Sequence, residues 1–204
     1  MRALTAPALL AAALVLLSLP ASAEPGAEVE AGAGLSPERG RYARLFASLS
    51  FGRGLRLNNP YRLETELGDD AESLSLTASY LDVGLGATLG DPGGLQHGAI
   101  GHLSIAVEGI AQEVASLSYL ALLPLGRDVL GFARAGVPVV LEPDLGAGLE
   151  LGLGGAWFLS GGMGVSAELV SSLFFGAATW ESDPTVVPVV SLGLGAFIEY
   201  EALP

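Results

Sequence analysis

From Asp144 to Phe175 the chain reads DLGAGLELGLGGAWFLSGGMGVSAELVSSLFF, and taking every second residue separates two chemistries. Odd positions (Leu145, Ala147, Leu149, Leu151, Leu153, then Met163, Val165, Ala167, Leu169) are apolar. Even positions (Gly146, Gly148, Glu150, Gly152, Gly154, then Gly164, Ser166, Glu168) are small or acidic. A period of two is what a β-strand produces, because successive side chains point to opposite faces. Two such runs around a Gly-rich break predict a hairpin. For the odd residues to share a face across it, paired numbers must sum to an even value. A two-residue loop at Ser160-Gly161 breaks that condition. A three-residue loop, Ser160-Gly161-Gly162, meets it and supplies glycine for the left-handed position. Leu159 is then expected opposite Met163, and Glu168 opposite Gly154, where there is room for it.

Which face meets solvent depends on the solvent. A soluble, lipocalin-like barrel turns its apolar face inward, yet the opposite face of this hairpin carries only Glu150 and Glu168, a poor exterior for water. The whole chain agrees, being 50% hydrophobic with 29 glycines and only 15% charged residues. A helical membrane bundle needs apolar runs near ~20 residues. The longest candidate, Leu151 to Ala167, contains six glycines, each costing about 1 kcal/mol inside a helix. A closed barrel with its apolar face in lipid satisfies both constraints.

The first residues, MRALTAPALLAAALVLLSLPASA, combine an early arginine, an apolar core and Ala21-Ser22-Ala23. This is a secretory signal peptide (residues 1–23), with Sec-type export and cleavage expected after Ala23. Export without a single cysteine leaves burial and hydrogen bonds to hold the fold. A net charge of −13 argues against a nucleic-acid partner, whose phosphates require a basic surface. Residues 24–41 are rich in Gly, Ala, Pro and Glu and read as a flexible periplasmic leader. Arg39, Arg41 and Arg44 close it.

From 42 to 201 eight strand segments follow. The first begins near Tyr42, with Leu45, Ala47, Leu49 and Phe51 outward. The second, Leu74 to Leu89, starts in even phase through Tyr80 and continues in odd phase from Leu81, as a β-bulge at Tyr80-Leu81 would produce. The third runs to about Gln112, with His102, Ser104 and Glu108 on its inner face. In the fourth, Leu120 and Leu122 blur the alternation; in the fifth, Leu130, Phe132 and Val140 do so. Pro138 and Pro188 fall within strand patterns and are expected near the outer rim, where a missing N–H is tolerated. The connections Asn58–Ser73 and Gly176–Pro184 are long and acidic, which suits an outer surface.

Signal peptide, strand count, alternation and Gly/aromatic character together resemble the small eight-stranded outer-membrane barrels of Gram-negative bacteria, the OmpA/OmpX type, over Tyr42 to Tyr200. The resemblance implies an all-β, eight-stranded antiparallel up-and-down transmembrane barrel in the outer membrane. It also implies lipid and lipopolysaccharide as surroundings and the barrel assembly machinery as a partner in biogenesis. Members of that class commonly end on an aromatic residue; here Phe197 and Tyr200 are close, but the chain closes Glu201-Ala202-Leu203-Pro204. No protein partner is identified by the residues.

The expected inner face collects Asp82, Glu108, Glu150, Glu168 and Glu199 against Arg134, a polar network filling a lumen only wide enough for side chains. A narrow ion path is the conducting alternative. His102-Leu103-Ser104 resembles the His-x-Ser pair of the lipid A deacylases, also eight-stranded barrels, with Glu108 as the carboxylate; Ile105 stands where that family has asparagine. A hydrolase reading rests on this pair. Trp157, Phe158, Phe174, Phe175, Trp180 and Tyr200 lie near strand ends and are expected at the membrane interface. Glu64, Glu66, Asp69, Asp70 and Glu72 form an acidic loop able to bridge cations to lipopolysaccharide, or simply solvated. No metal or cofactor set is expected. A non-enzymatic structural or surface-interaction role in the envelope is the leading expectation.

Overall fold

A computed structural model describes residues 42–57, 75–108, 111–142, 145–175 and 186–202. The signal peptide, the leader, the acidic Asn58–Ser73 connection and Trp180 lie outside the described residues. The strands are β1 (Tyr42–Arg56), β2 (Ser75–Leu76), β3 (Tyr80–Gly90), β4 (Gln96–Ala106), β5 (Glu113–Pro124), β6 (Val129–Glu142), β7 (Gly146–Ser160), β8 (Met163–Phe175) and β9 (Val186–Ala202). From β3 to β9 each strand pairs antiparallel with the next, β2 and β3 both lie along β1, and β9 returns to β1 from Ala43↔Ala202 to Arg56↔Val189. β2 continues the line of β3, so the nine strands make eight staves of a closed up-and-down barrel. Closure removes the unpaired edges that an open sheet would present.

The barrel has two unlike ends. Tyr42 and Ala202 lie at one, with the connections Asp91–Leu95, Leu125–Asp128 and Gly161-Gly162; this is the turn end. The other, the loop end, carries the longer connections.

Alternation decides what faces out. Leu85, Leu117, Leu194 and Tyr200 are 60–69% exposed, and every long strand contributes large apolar side chains to the outer surface. Most even-numbered positions of β1 and β3 to β9 point inward. Soluble proteins rarely expose apolar patches beyond a few hundred Å²; here the apolar surface encircles the molecule.

Three local predictions are corrected. The β7–β8 hairpin keeps the even sum, with Gly154↔Glu168 and Phe158↔Gly164, but Leu159 is not opposite Met163. Ser160 pairs with Met163 instead, the register shifting between Phe158 and Ser160. The loop is two residues, Gly161 (φ 53°) and Gly162 (φ 80°), both in the left-handed region of a type I′ turn. A bulge at Leu159 thus supplies the parity that a longer loop was expected to supply. The phase slip of the second segment falls at Thr77–Ser79, before Tyr80. Gly52↔Tyr80 and Leu55↔Leu76 leave one extra residue between β2 and β3 relative to β1. Thr77 stitches the gap, its Oγ1 accepting from Gly54 N at 2.8 Å while its own amide donates to Gly54 O at 2.9 Å. Tyr80 is therefore already inward. β4, finally, ends at Ala106, short of Gln112.

Pro138 and Pro188 both lie in the loop-end thirds of their strands. The β6–β7 ladder runs from Val129↔Trp157 to Gly136↔Glu150, skips Val137 and Pro138, and resumes at Val139↔Ala147.

Candidate functional site: the barrel lumen

Of the residues that blur the alternation, Leu120, Leu122, Leu130 and Phe132 fill the turn end of the lumen. Ile100, Leu120 and Leu122 are buried together against Phe46 and Phe132, and Leu130, Ala156 and Phe197 against Phe132 and Phe158. The rings are seated on glycines. A Cβ on Gly86 would lie 2.4 Å from the Phe46 ring, one on Gly154 2.2 Å from Phe132, and one on Gly164 2.4 Å from Phe197. These inward glycines are sockets, and pairing across strands is what places each beside its ring. Below this plug Gln96 and Thr88 are almost fully buried. Thr88 Oγ1 donates to Gln96 Oε1 at 3.1 Å, and Gln96 Nε2 donates to Asp91 O at 3.2 Å, closing the β3–β4 turn.

The next inward layer is charged. Arg134 donates through Nη1 to Glu150 and through Nε to Glu168, while Ser118 Oγ donates to Glu150 Oε1 at 2.6 Å. Arg134 and Glu150 are buried, at 8% and 6% exposure. Burial of an ion pair is tolerable because each partner is held by more than one bond; a lone buried charge would cost several kcal/mol, of order 3–5. Beside it Asp82 accepts from His102 Nδ1–H at 2.8 Å and from Ser104 Oγ at 2.5 Å. Gly152 and Gly84 make room for these side chains as other glycines do for the rings.

The expected single network is divided. Asp82, with His102 and Ser104, forms one cluster; Arg134, Glu150 and Glu168 form a second. Glu199 belongs to a third at the turn end, where Arg44 Nε lies 3.3 Å from its carboxylate and Arg44 Nη2 lies 3.9 Å from that of Glu201. Arg44, in sequence one of the arginines that close the leader, faces inward on β1, on the parity of Ser48 and Ser50. Arg134 is thus not the sole inner cation.

Glu108 is a correction on two counts. It lies beyond the end of β4, half exposed, and is neither in the lumen nor against His102. Ser79 captures it at the rim, Oγ donating at 2.7 Å and the amide at 3.3 Å, with Arg53 Nη2 at 3.5 Å. Those hydrogen bonds, and then the Arg53 charge, hold its carboxyl below the usual range. The carboxylate that does meet His102 and Ser104 is Asp82.

Two aromatic assignments are also corrected. Trp157, Phe175 and Tyr200 face outward at 60%, 45% and 69% exposure. Phe158 instead packs inside, edge-on to Phe197 with ring centroids 5.1 Å apart, and Phe174 lines the lumen. Both are even-numbered, and parity outranks nearness to a strand end.

Above the charged layer, toward the loop end, the lumen widens into a cavity of about 230 Å³. Its wall carries Val114, Pro138, Val140, Val170, Val187 and Val189, and its floor Asp82, Ser104, Arg134, Glu150 and Glu168. A smaller cavity of about 80 Å³ lies on the plug side and shares Asp82, Arg134 and Glu168 with the first. The charged layer is therefore a septum between them.

No family model and no curated protein matches the chain. Solved structures similar to it include Neisserial surface protein A, at 11% identity and a TM-score of 0.47, covering 78% of this chain and 97% of that one. A de novo designed transmembrane β-barrel matches at 10% identity and 0.41, over 78% of this chain and 95% of the other. The outer membrane protein AlkL, solved in lipid bilayers, matches at 13% and 0.36, over 87% and 98%. The functional reading rests on this chain's own surface and lumen.

Proposed function

We propose that this chain is a non-enzymatic outer-membrane barrel, reached by Sec-type export with cleavage after Ala23, that serves the envelope structurally or by presenting its loops. The observation that carries this is the inverted polarity of a closed barrel: apolar side chains exposed on every stave, charges inside. Apart from the two-residue β2, strands of 11 to 17 residues meet or exceed the roughly 9–11 that a tilted transmembrane strand needs. The turn end would face the periplasm, and lipid and lipopolysaccharide would surround the belt. The barrel assembly machinery would insert it.

The filled lumen supports this role over a narrow conducting pore, since the plug and the charged septum both cross it. The His102–Ser104 pair supports it over a hydrolase: Ser104 Oγ donates its hydrogen bond to Asp82 and not to His102, whereas an activated serine hydrogen-bonds to the imidazole base. Membrane fractionation with a gel-mobility comparison before and after boiling tests the proposal. A mobility shift and an outer-membrane fraction are expected; a soluble periplasmic protein that does not shift would overturn it.

A further inference from the structure

We infer that the 230 Å³ cavity at the loop end binds a small organic cation with an apolar body. The volume exceeds the roughly 150 Å³ of an engineered cavity that admits benzene. Val114, Val140, Val170, Val187 and Val189 give it a wall suited to hydrocarbon, and Tyr80 and Phe174 add aromatic side chains to the lining, a residue type that attracts cations. The floor sets the sign. Asp82, Glu150 and Glu168 stand there against Arg134 alone, and a protonated His102 behind Asp82 still leaves the sum negative. A carboxylate excess beside an apolar wall is unfavourable until a cation joins it. Arg56 also lines the cavity, but six residues beyond Ser50 on β1, or roughly 20 Å along the strand at about 3.4 Å per residue. It stands at the mouth, not the floor, so a bound cation would sit deep with its apolar part against the valines.

The test uses the folded barrel in nonionic detergent and three probes of similar size: 2-phenylethylammonium, 2-phenylethanol and phenylacetate. Binding is read by calorimetry and by amide shifts of lumen residues. The ammonium probe is expected to bind about tenfold more tightly than the alcohol and more tightly still than the carboxylate. Glu168→Gln should remove about that tenfold preference and spare the alcohol. Val170→Trp, or Val189→Trp should the first not fold, should abolish binding of all three. The heat-dependent gel shift verifies folding of each variant. Equal affinities, preference for the carboxylate, no binding, or binding indifferent to the tryptophan variants each overturn the inference. Because the assay reads the lumen, its outcome is separate from the barrel's cellular location.

Discussion

Along three adjacent staves the lumen changes character within a single inward step. β4 carries Ile100 and then His102, β5 carries Leu120 and then Ser118, β6 carries Phe132 and then Arg134. The backbone and the parity are the same; only the chemistry differs. Toward the turn end the inward residues are packed as a globular core is, by volume, with glycines opposite rings. Toward the loop end they are held by directional bonds, and space is left over. An apolar layer tolerates an approximate fit, whereas a charged layer must satisfy every group or lose stability sharply. The plug therefore governs how tightly the barrel is sealed, and the septum governs what the remaining space attracts.

The comparison can be broken at its strongest point first. Arg134→Ala strips two inward carboxylates of their partner and should cost about 3–5 kcal/mol, read from denaturant unfolding in detergent. Combining it with Glu150→Gln and Glu168→Gln should return most of that loss, because the penalty is unpaired charge and not missing volume. Leu120→Ala, at 2% exposure in the plug, should cost about 2–4 kcal/mol through the void it leaves. No charge change should rescue it. If Leu120→Ala costs more than Arg134→Ala, the septum is the weaker layer and the contrast is inverted. Ser104→Ala removes one of two donors to Asp82 and should cost about 1–2 kcal/mol without affecting the Arg134 cluster.

The smallest effect lies at the rim. Because the folded carboxyl of Glu108 is held below its ordinary value, its contribution is present at neutral pH and is lost as pH falls through that lowered value. The protection of the Ser79 amide from hydrogen exchange, corrected for the intrinsic rate at each pH and followed from pH 7 downward, should fall only in that acid window. Glu108→Gln should remove the dependence.

Much of the barrel was legible from residue order, since period two and the position of the breaks determine which side chains face outward. Leu85, Leu117 and Leu194 needed nothing more. The lumen was less legible because its content depends on which residues meet across strands. Leu120, Leu122, Leu130 and Phe132 looked like noise against an alternating pattern; they are the plug, and only pairing puts Gly154 under Phe132. Glu108 kept the inner parity but outran its strand, which ends at Ala106, and its carboxylate is captured by Ser79 at the rim. Arg44 was hidden by neighbouring arginines of the leader, although its parity with Ser48 pointed inward. The β7–β8 turn obeyed the even-sum condition through a bulge, and a parity argument alone does not distinguish a bulge from a longer loop.

A ring of paired strands has no natural place to begin coming apart, since every stave is gripped from both sides. Pro138 supplies one. Where the β6–β7 ladder skips Val137 and Pro138, the circle has a notch beside the cavity wall. Mechanical or thermal opening should start there and run toward the loop end, parting the staves like a zip with one tooth missing.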